Sequence, residues 1–489
     1  MNQLEKFYHF LDRYALKALI LWVIVLSILY SSLSLVRHAH FQSGGFDLGL
    51  YDQSVWQYSR FLWPYNTIKD RFILGDHLTL TLPLLSPLFW LWDDVRILLV
   101  FQAIAIASSS IAIFFLAKLR TFPSYVAFVV AWTYSLFYGI QYGVFFDFHP
   151  VLYGVALLAW FVYFFEAKKK IFWIVFLVLA LLTQENMGLA LSSLGCIYFF
   201  RKEFRVYGIW FFIGGVGVSL AASKAVSLFS PIGFQYWPHI SFNPLSIAFS
   251  FFDSEEKRQV WLYTLSSFSF LSLFSLGAMA AIIFDLAQYF ATGPEFSRMW
   301  SPLMHHRAVL ALFVTLGALD ALALLRKKKI SMMWIALLIV AMTLFEQFLF
   351  HYPLNKLTKN DYWKEEDWMI NTQKLIDEVP VGSGVATQQN LIPQLSHREQ
   401  IYLVWPREHD FDSQTSSGQG TPCGQKSCWW LDFDKKAEYL VVDTRPDQWL
   451  TQILESNDHW NEAMRNMQVL KKIQLEKSIG DARIYRIVK

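Results

Sequence analysis

Charge is scarce in this chain. Asp, Glu, Lys and Arg make up only 17% of its 489 residues, and 42 Lys and Arg against 39 Asp and Glu leave a net charge of +3. A soluble protein typically carries about 25% charged residues. So thin a polar supply cannot coat the several cores a soluble chain of this length would hold. So small a net charge gives no electrostatic grip on nucleic acid. Three cysteines exclude a disulfide-stapled scaffold. No Walker A loop, HExxH pair, GxSxG elbow or paired CxxC occurs, which leaves ATP hydrolysis and zinc proteolysis without footing. No repeat recurs at a fixed period. What the chain has is apolar bulk: 55% hydrophobic residues, with 44 Phe, 20 Trp and 22 Tyr. Disorder, collagen and coiled coil fall to the same numbers. A polytopic α-helical membrane protein remains.

Apolar runs cover residues 18–36, 95–117, 122–140, 151–165, 171–182, 187–200, 206–223, 260–276, 277–291, 308–325 and 330–350. They predict a bundle of about eleven transmembrane helices. Lys6, Arg13 and Lys17 precede the first run, which lacks a small-residue cleavage site, so a span rather than a cleaved leader is expected. Several runs fall short of the roughly 20 residues needed to cross hydrocarbon, which suggests local thinning or a polar cavity between helices. Residues 78–92, interrupted by Pro83 and Pro87, read as a juxtamembrane helix in a first outer loop, 37–92.

The basic clusters are Lys118 with Arg120, then 168–170, 201–205 and 326–329. All four fall in the cytoplasm when the spans are counted from a cytoplasmic N-terminus. The expectation is a transmembrane domain over 1–350 in the inner (plasma) membrane, with 351–489 as a small extracytoplasmic α/β domain, periplasmic or extracellular. In that tail, 381–387 and 439–443 pattern as strands, 361–378 and 447–456 as helices, and 472–488 as a hairpin. Cys423 and Cys428 share a Gly- and Ser-containing loop on the oxidising side, where a local disulfide is one reading; Cys196, in an apolar run, reads as core.

Costly polar groups gather on the outer side. Asp47, Asp52 and Gln53, then Asp76 and His77, lie in the first loop; Asp147 and His149 lie in the next outer turn; Gln184 and Glu185 sit between two short spans; His305, His306 and Arg307 precede a later one. Ionisable groups at membrane depth need a partner or a purpose, and this one-sidedness predicts a single outward-facing polar site. Bland alternatives stand beside it. Asp47 and Asp76 would serve as helix caps, and Asp147 and His149 would bond within a tight turn. His305 and His306 would sit at the interface, and Arg307 would anchor the membrane edge. Asp47 and Asp52, five apart, point to different faces of one continuous helix, so only one is expected to reach the site unless the helix starts between them. Asp320 and Glu346 have no role on this reading. Gly214, Gly215 and Gly217 suit close helix packing. The Trp and Tyr abundance suits a lipid-interface belt.

A carboxylate that takes a proton from an acceptor hydroxyl, cations that stabilise a phosphate leaving group and aromatic surface for a polyprenyl chain are what moving a sugar off a lipid phosphate needs. Asp47, Asp76, His77 and His149 are also acceptable ligands for a divalent metal, although their spacing does not require one. The bilayer, a polyprenyl-phosphate-linked sugar and a lipid, glycan or protein acceptor are the implied partners, with no nucleic acid. Two other classes stay open: a secondary transporter relaying protons through Glu185, Asp285, Asp320 and Glu346, and a non-catalytic envelope assembly protein.

The same residues carry a family resemblance. Phe46-Asp47-Leu48-Gly49 with Asp52-Gln53, Gly75-Asp76-His77, Pro87-Leu88, Gln102, Asp147-Phe148-His149-Pro150, Gln184-Glu185-Asn186 and the tail segment Asn390-Leu391-Ile392-Pro393-Gln394-Leu395-Ser396-His397-Arg398 resemble domain-of-unknown-function family 2079. Gln184 stands where that family usually has Lys, and Gln394 where it has His. That family is similar to the GT-C glycosyltransferases. The resemblance implies a GT-C-like transmembrane bundle, juxtamembrane helices in the first outer loop, a hexosyl- or pentosyltransferase activity and a catalytic acid in that loop. It carries that role onto Asp47, with Asp52 second.

Overall fold

The computed structural model describes residues 3–235, 243–404, 431, 435–446 and 457–488. Fifteen helices run from α1 (Gln3–Ala39) through α2 (Leu50–Ser59), α3 (Ser86–Leu91), α4 (Arg96–Leu119), α5 (Ser124–Ser135), α6 (Tyr138–Phe146), α7 (Pro150–Glu166) and α8 (Lys170–Leu181). They continue with α9 (Met187–Phe199), α10 (Arg205–Phe229), α11 (Pro244–Ser250), α12 (Glu255–Ser266), α13 (Leu276–Phe290), α14 (Leu310–Lys327) and α15 (Met332–Leu349). Among the described residues, five helical stretches are long and apolar enough to cross a membrane: Leu11–Ala39, Arg96–Leu119, Arg205–Phe229, Phe296–Lys327 and Met332–Leu349. Shorter apolar helices, α7, α8, α9 and α13 among them, fill the bundle between these.

Two expected spans are not single helices. The run 122–140 divides into α5 and α6. The run 260–276 ends as a helix at Ser266, after which Phe268, Ser269 and Phe270 take left-handed backbone angles. At the second break Ser267 Oγ bonds back to the Tyr263 carbonyl at 2.8 Å. Elsewhere, packing is tight enough to demand glycine. A Cβ on Gly215 would fall 2.3 Å from the Gly188 carbonyl oxygen, so α9 and α10 touch backbone to backbone there, while Gly214 and Gly217 face open space.

The helix ends segregate chemically. At the end carrying the basic clusters, Glu166 pairs with Arg120 (2.5 Å) and Arg201 (2.6 Å), and Arg201 also reaches Asp320 at 2.6 Å. Asp320, without a role in the sequence, therefore closes a partly buried ion network, joined by Ser275 at 2.9 Å. Asp147 and His149 lie just ahead of the opposite end of α7 from Glu166, and Glu185 lies just ahead of the opposite end of α9 from Arg201.

In the first loop a short hairpin pairs β1 (Tyr65–Asn66) with β2 (Arg71–Phe72). The tail folds into a five-stranded sheet of order β4–β3–β5–β7–β6. Here β3 (Val385–Thr387) is parallel to β4 (Ile401–Leu403) and β5 (Tyr439–Asp443), while β6 (Ile473–Ile479) and β7 (Ala482–Ile487) form the expected antiparallel hairpin. The helical stretch expected at 361–378 is two pieces, α16 (Asn360–Trp363) and α17 (Asp367–Ile376). Cys423, Cys428 and the helix expected over 447–456 lie outside the described residues. The sheet packs onto the first loop: Phe41 and Ile68 share one apolar core with Leu391, Ile392 and Leu395. Transfer of such surface from water is worth about 25 cal/mol per Å², and it fixes the tail against the polar end of the bundle.

Candidate active site

Asp47 lies in a single wide helical turn, Gly45–Gly49, ahead of α2. It does not cap α2, whose N-cap is Gly49. Its carboxylate meets His149 Nε2 at 3.1 Å and keeps 32% of its side-chain surface exposed. His149 in turn stacks face to face on His305, ring centroids 3.6 Å apart. The turn bearing Asp147 and His149 is fixed by Gln102 of α4, which donates to the Asp147 carbonyl at 2.9 Å and accepts from the His149 amide at 2.7 Å. Asp147 is buried beside Asp47. It accepts from Arg37 at 2.7 Å and from the Gly44 amide at 2.8 Å, and so holds the loop that presents Asp47.

A second group adjoins the first. His77 Nδ1 contacts Glu185 Oε1 at 2.7 Å, Glu185 Oε2 accepts from the Leu78 amide at 3.1 Å, and Gln184 Nε2 lies 3.4 Å from the same imidazole. Asp76 pairs with Lys69 at 2.7 Å, a bond that replaces the expected cap. Lys69 and His305 connect the groups: the Lys69 charge is felt at Asp47, and both His77 and His149 lie within electrostatic reach of His305.

These neighbours set the charges. Burial opposes ionisation of Asp47, but the His149 hydrogen bond and the charges of His149, Lys69 and Arg37 outweigh it, so the carboxyl titrates below its ordinary value. Burial pushes Asp147 up to about 6 against the pull of Arg37, with the Asp47 charge adding to the rise. Burial works against protonating His77, but Glu185 and Asp76 outweigh it and raise its pKa. The site thus holds an ionised, partly exposed Asp47 near Lys69 and Arg37, each paired with its own acid, and an imidazole, His77, whose pKa is raised.

Four expected site residues lie elsewhere. Asp52 has no solvent exposure; it accepts from Ser396 Oγ and meets His397 Nε2 at 3.1 Å, because α2 turns that side chain toward the tail. Gln53 follows it, donating to Thr67 and to the carbonyls of Arg398 and Glu399. His306 stacks on Tyr289 at 4.0 Å and is buried. Arg307, fully buried over Tyr289 and Phe290, donates to the carbonyls of Met299 and Ser301. The last two brace the segment carrying His305. Of the residues considered for a divalent metal, Asp76 pairs with Lys69, and among the described residues no group of three or more His, Cys, Asp or Glu is placed to hold an ion. The intramembrane acids of the relay alternative are separated, with Asp320 in the ion network and Glu185 on His77.

The sequence singled out acids and imidazoles and so missed Arg37 and Lys69. The signal for Lys69 was its place between the Asp47 and Asp76 motifs.

Residues 37–420 match the family described as "Predicted membrane protein (DUF2079)", and the chain belongs to that family. No curated protein matches the sequence. Among solved structures, apo ArnT from Cupriavidus metallidurans superposes with a TM-score of 0.49 at 11% identity, over 97% of this chain and 98% of that one. The same enzyme bound to undecaprenyl phosphate gives 0.48 at 10% identity, over 96% and 98%. The Archaeoglobus fulgidus oligosaccharyltransferase gives 0.43 at 13% identity, over 86% of this chain and 68% of that one.

Proposed function

We propose that this member of the DUF2079 family is a membrane glycosyltransferase that moves a sugar from a polyprenyl-phosphate donor to an envelope acceptor at the polar end of the bundle. The observation that carries this reading is Asp47: an ionised, partly exposed carboxylate bonded to His149, within reach of the Lys69 and Arg37 charges, each of which is paired with its own acid, Asp76 and Asp147. In the reaction the acceptor oxygen bonds to the anomeric carbon as the bond from that carbon to the phosphate oxygen breaks. Asp47 takes the acceptor proton, and the electron pair leaves on phosphate. Lys69 and His77, each bound to a carboxylate in the free protein, are the groups assigned to hold that phosphate, where a partly dry site strengthens each charge. His305 stacks on His149 and keeps its imidazole aimed at Asp47. Glu185 sets the orientation of His77. In this reading the basic end faces the cytoplasm.

Asp47→Asn keeps the shape of the side chain and removes its basicity. In a deletion strain, the wild-type gene is expected to restore the missing envelope glycan or glycolipid, read by mass spectrometry of extracts, and Asp47→Asn is expected not to. Full restoration by Asp47→Asn would reject Asp47 as the base and the transferase reading with it.

A further inference from the structure

The tail enters the pocket. The Gly45 amide donates to the Gln389 carbonyl at 2.9 Å, tying the turn that bears Asp47 to the strand–helix connection after β3. Gln388, one residue earlier, is used up: its side chain accepts from the Asp443 amide (2.7 Å) and donates to the Asp443 carbonyl (3.0 Å), which pins the connection to β5. Gln389 has no such anchor. It is only 7% exposed, and its side-chain oxygen is buried without a hydrogen-bond partner; the Asn390 side-chain oxygen, on a residue 6% exposed, shares that deficit.

Gly44 shows where the Gln389 amide lies. A Cβ there would stand 3.4 Å from Asp47 Oδ2, 3.5 Å from Gln389 Nε2 and 3.8 Å from Asp147 Oδ2. Three polar side chains from three distant parts of the chain thus surround one point that glycine leaves open. The Gln389 amide nitrogen faces that point and can donate to a ligand hydroxyl, while its unpartnered oxygen lies on the side of Gly45 and Ile392. A carboxamide donates and accepts but carries no charge, so it suits a neutral polyhydroxyl group and not a phosphate.

We propose that Gln389 of the tail is a specificity-determining residue of this site, and that it binds a sugar hydroxyl beside Asp47. The inference rests on the transferase reading.

The test uses the full-length protein in lipid nanodiscs, supplied with lipid extract from a deletion strain. The extract is split by anion exchange into a retained fraction, which holds polyprenyl-phosphate sugars, and a flow-through fraction. Each fraction is varied with the other held constant. Gln389→Ala is expected to raise the half-saturating amount of one fraction about tenfold while leaving the maximal rate within about twofold. A shift confined to the retained fraction assigns the hydroxyl to the donor sugar; one confined to the flow-through assigns it to the acceptor. Gln389→Asn, which keeps the amide, is expected to recover part of the loss, and it is read in place of Gln389→Ala if that variant does not fold. Unchanged half-saturation for both fractions overturns the inference. So does a loss of rate at every concentration with a lowered Tm, since Gln389 would then only prop the loop. The wild-type protein and Asp47→Asn in parallel separate the two ideas: no transfer by the wild type from either fraction sinks the transferase reading itself, and wild-type rate in Asp47→Asn removes Asp47 as its base.

Discussion

Asp52 gives the sharpest test of how the tail is held. It is fully buried, Ser396 donates to one carboxylate oxygen, and His397 Nε2 stands 3.1 Å from the other. Trp56 stacks on the imidazole and Asp93 lies 3.3 Å from its Nδ1. Breaking a buried ion pair from one side costs about 3–5 kcal/mol. The His397 side chain is 24% exposed, which lowers the expectation to about 2–3 kcal/mol. Gln53, Thr67 and the shared apolar core still hold the tail in Asp52→Asn. The variant should therefore stay folded and open more often, by roughly 30- to 150-fold at 1.4 kcal/mol per decade.

The same contact predicts a pH dependence. Burial disfavours the charged imidazole, but Asp52 foremost, then Asp93 and Asp94, raise the His397 pKa above its ordinary 6.5. A raised value in the folded state means the contribution is complete below about 6.5 and disappears as pH climbs through the raised value. Hydrogen exchange of peptides covering 388–404, corrected for the intrinsic pH dependence of exchange, should show protection in the wild type that declines on the alkaline side. Asp52→Asn should show lower protection with a shallower profile, because Asp93 and Asp94 still act on the imidazole. Equal protection and equal pH profiles in the two proteins would refute the electrostatic account of docking.

Three further outcomes follow from the geometry. Glu166→Gln weakens both arginine pairs of the ion network and should destabilise the detergent-solubilised protein by about 3–5 kcal/mol, read as a lowered Tm, with the pocket chemistry intact in the folded fraction. Gln102→Leu leaves the Asp147 carbonyl and the His149 amide without their side-chain partner. It should cost about 1–3 kcal/mol for each group and lower glycan production with the protein still in the membrane, as measured by immunoblot beside the glycan assay. In oriented cells, a cysteine replacing exposed Val381 should react with a membrane-impermeant maleimide, and one replacing Lys168 should react only after permeabilisation; the reverse pattern would invert the proposed orientation.

Much of the architecture is written in local sequence because the relevant physics is local. A run such as 95–117 is too apolar to be anything but a span, and the terminal hairpin follows from strand patterning on either side of Gly480. Asp47, His149, His77 and Glu185 were identifiable as a set because ionisable groups at membrane depth are expensive wherever they occur. The spacing of Asp47 and Asp52 did not settle which of them reaches the site, because α2 starts between the two at Leu50.

Which of the two reaches it was decided by packing. Asp52 faces the tail because Ile392 fills the space beside Gly45 and Gly49, bringing Ser396 and His397 onto α2. The partners of the site groups were equally hidden. Arg37 finds Asp147, Asp320 finds Arg201 and Gln389 comes beside Asp47 across separations that carry no periodic signal. The sequence by itself determined a helical, membrane-type bundle with its acids and imidazoles segregated from its basic loops, since hydropathy and charge cost act residue by residue. Only the tertiary structure decided which of those groups share a pocket and which serve as fasteners, because a hydrogen bond's geometry exists only once distant segments have packed.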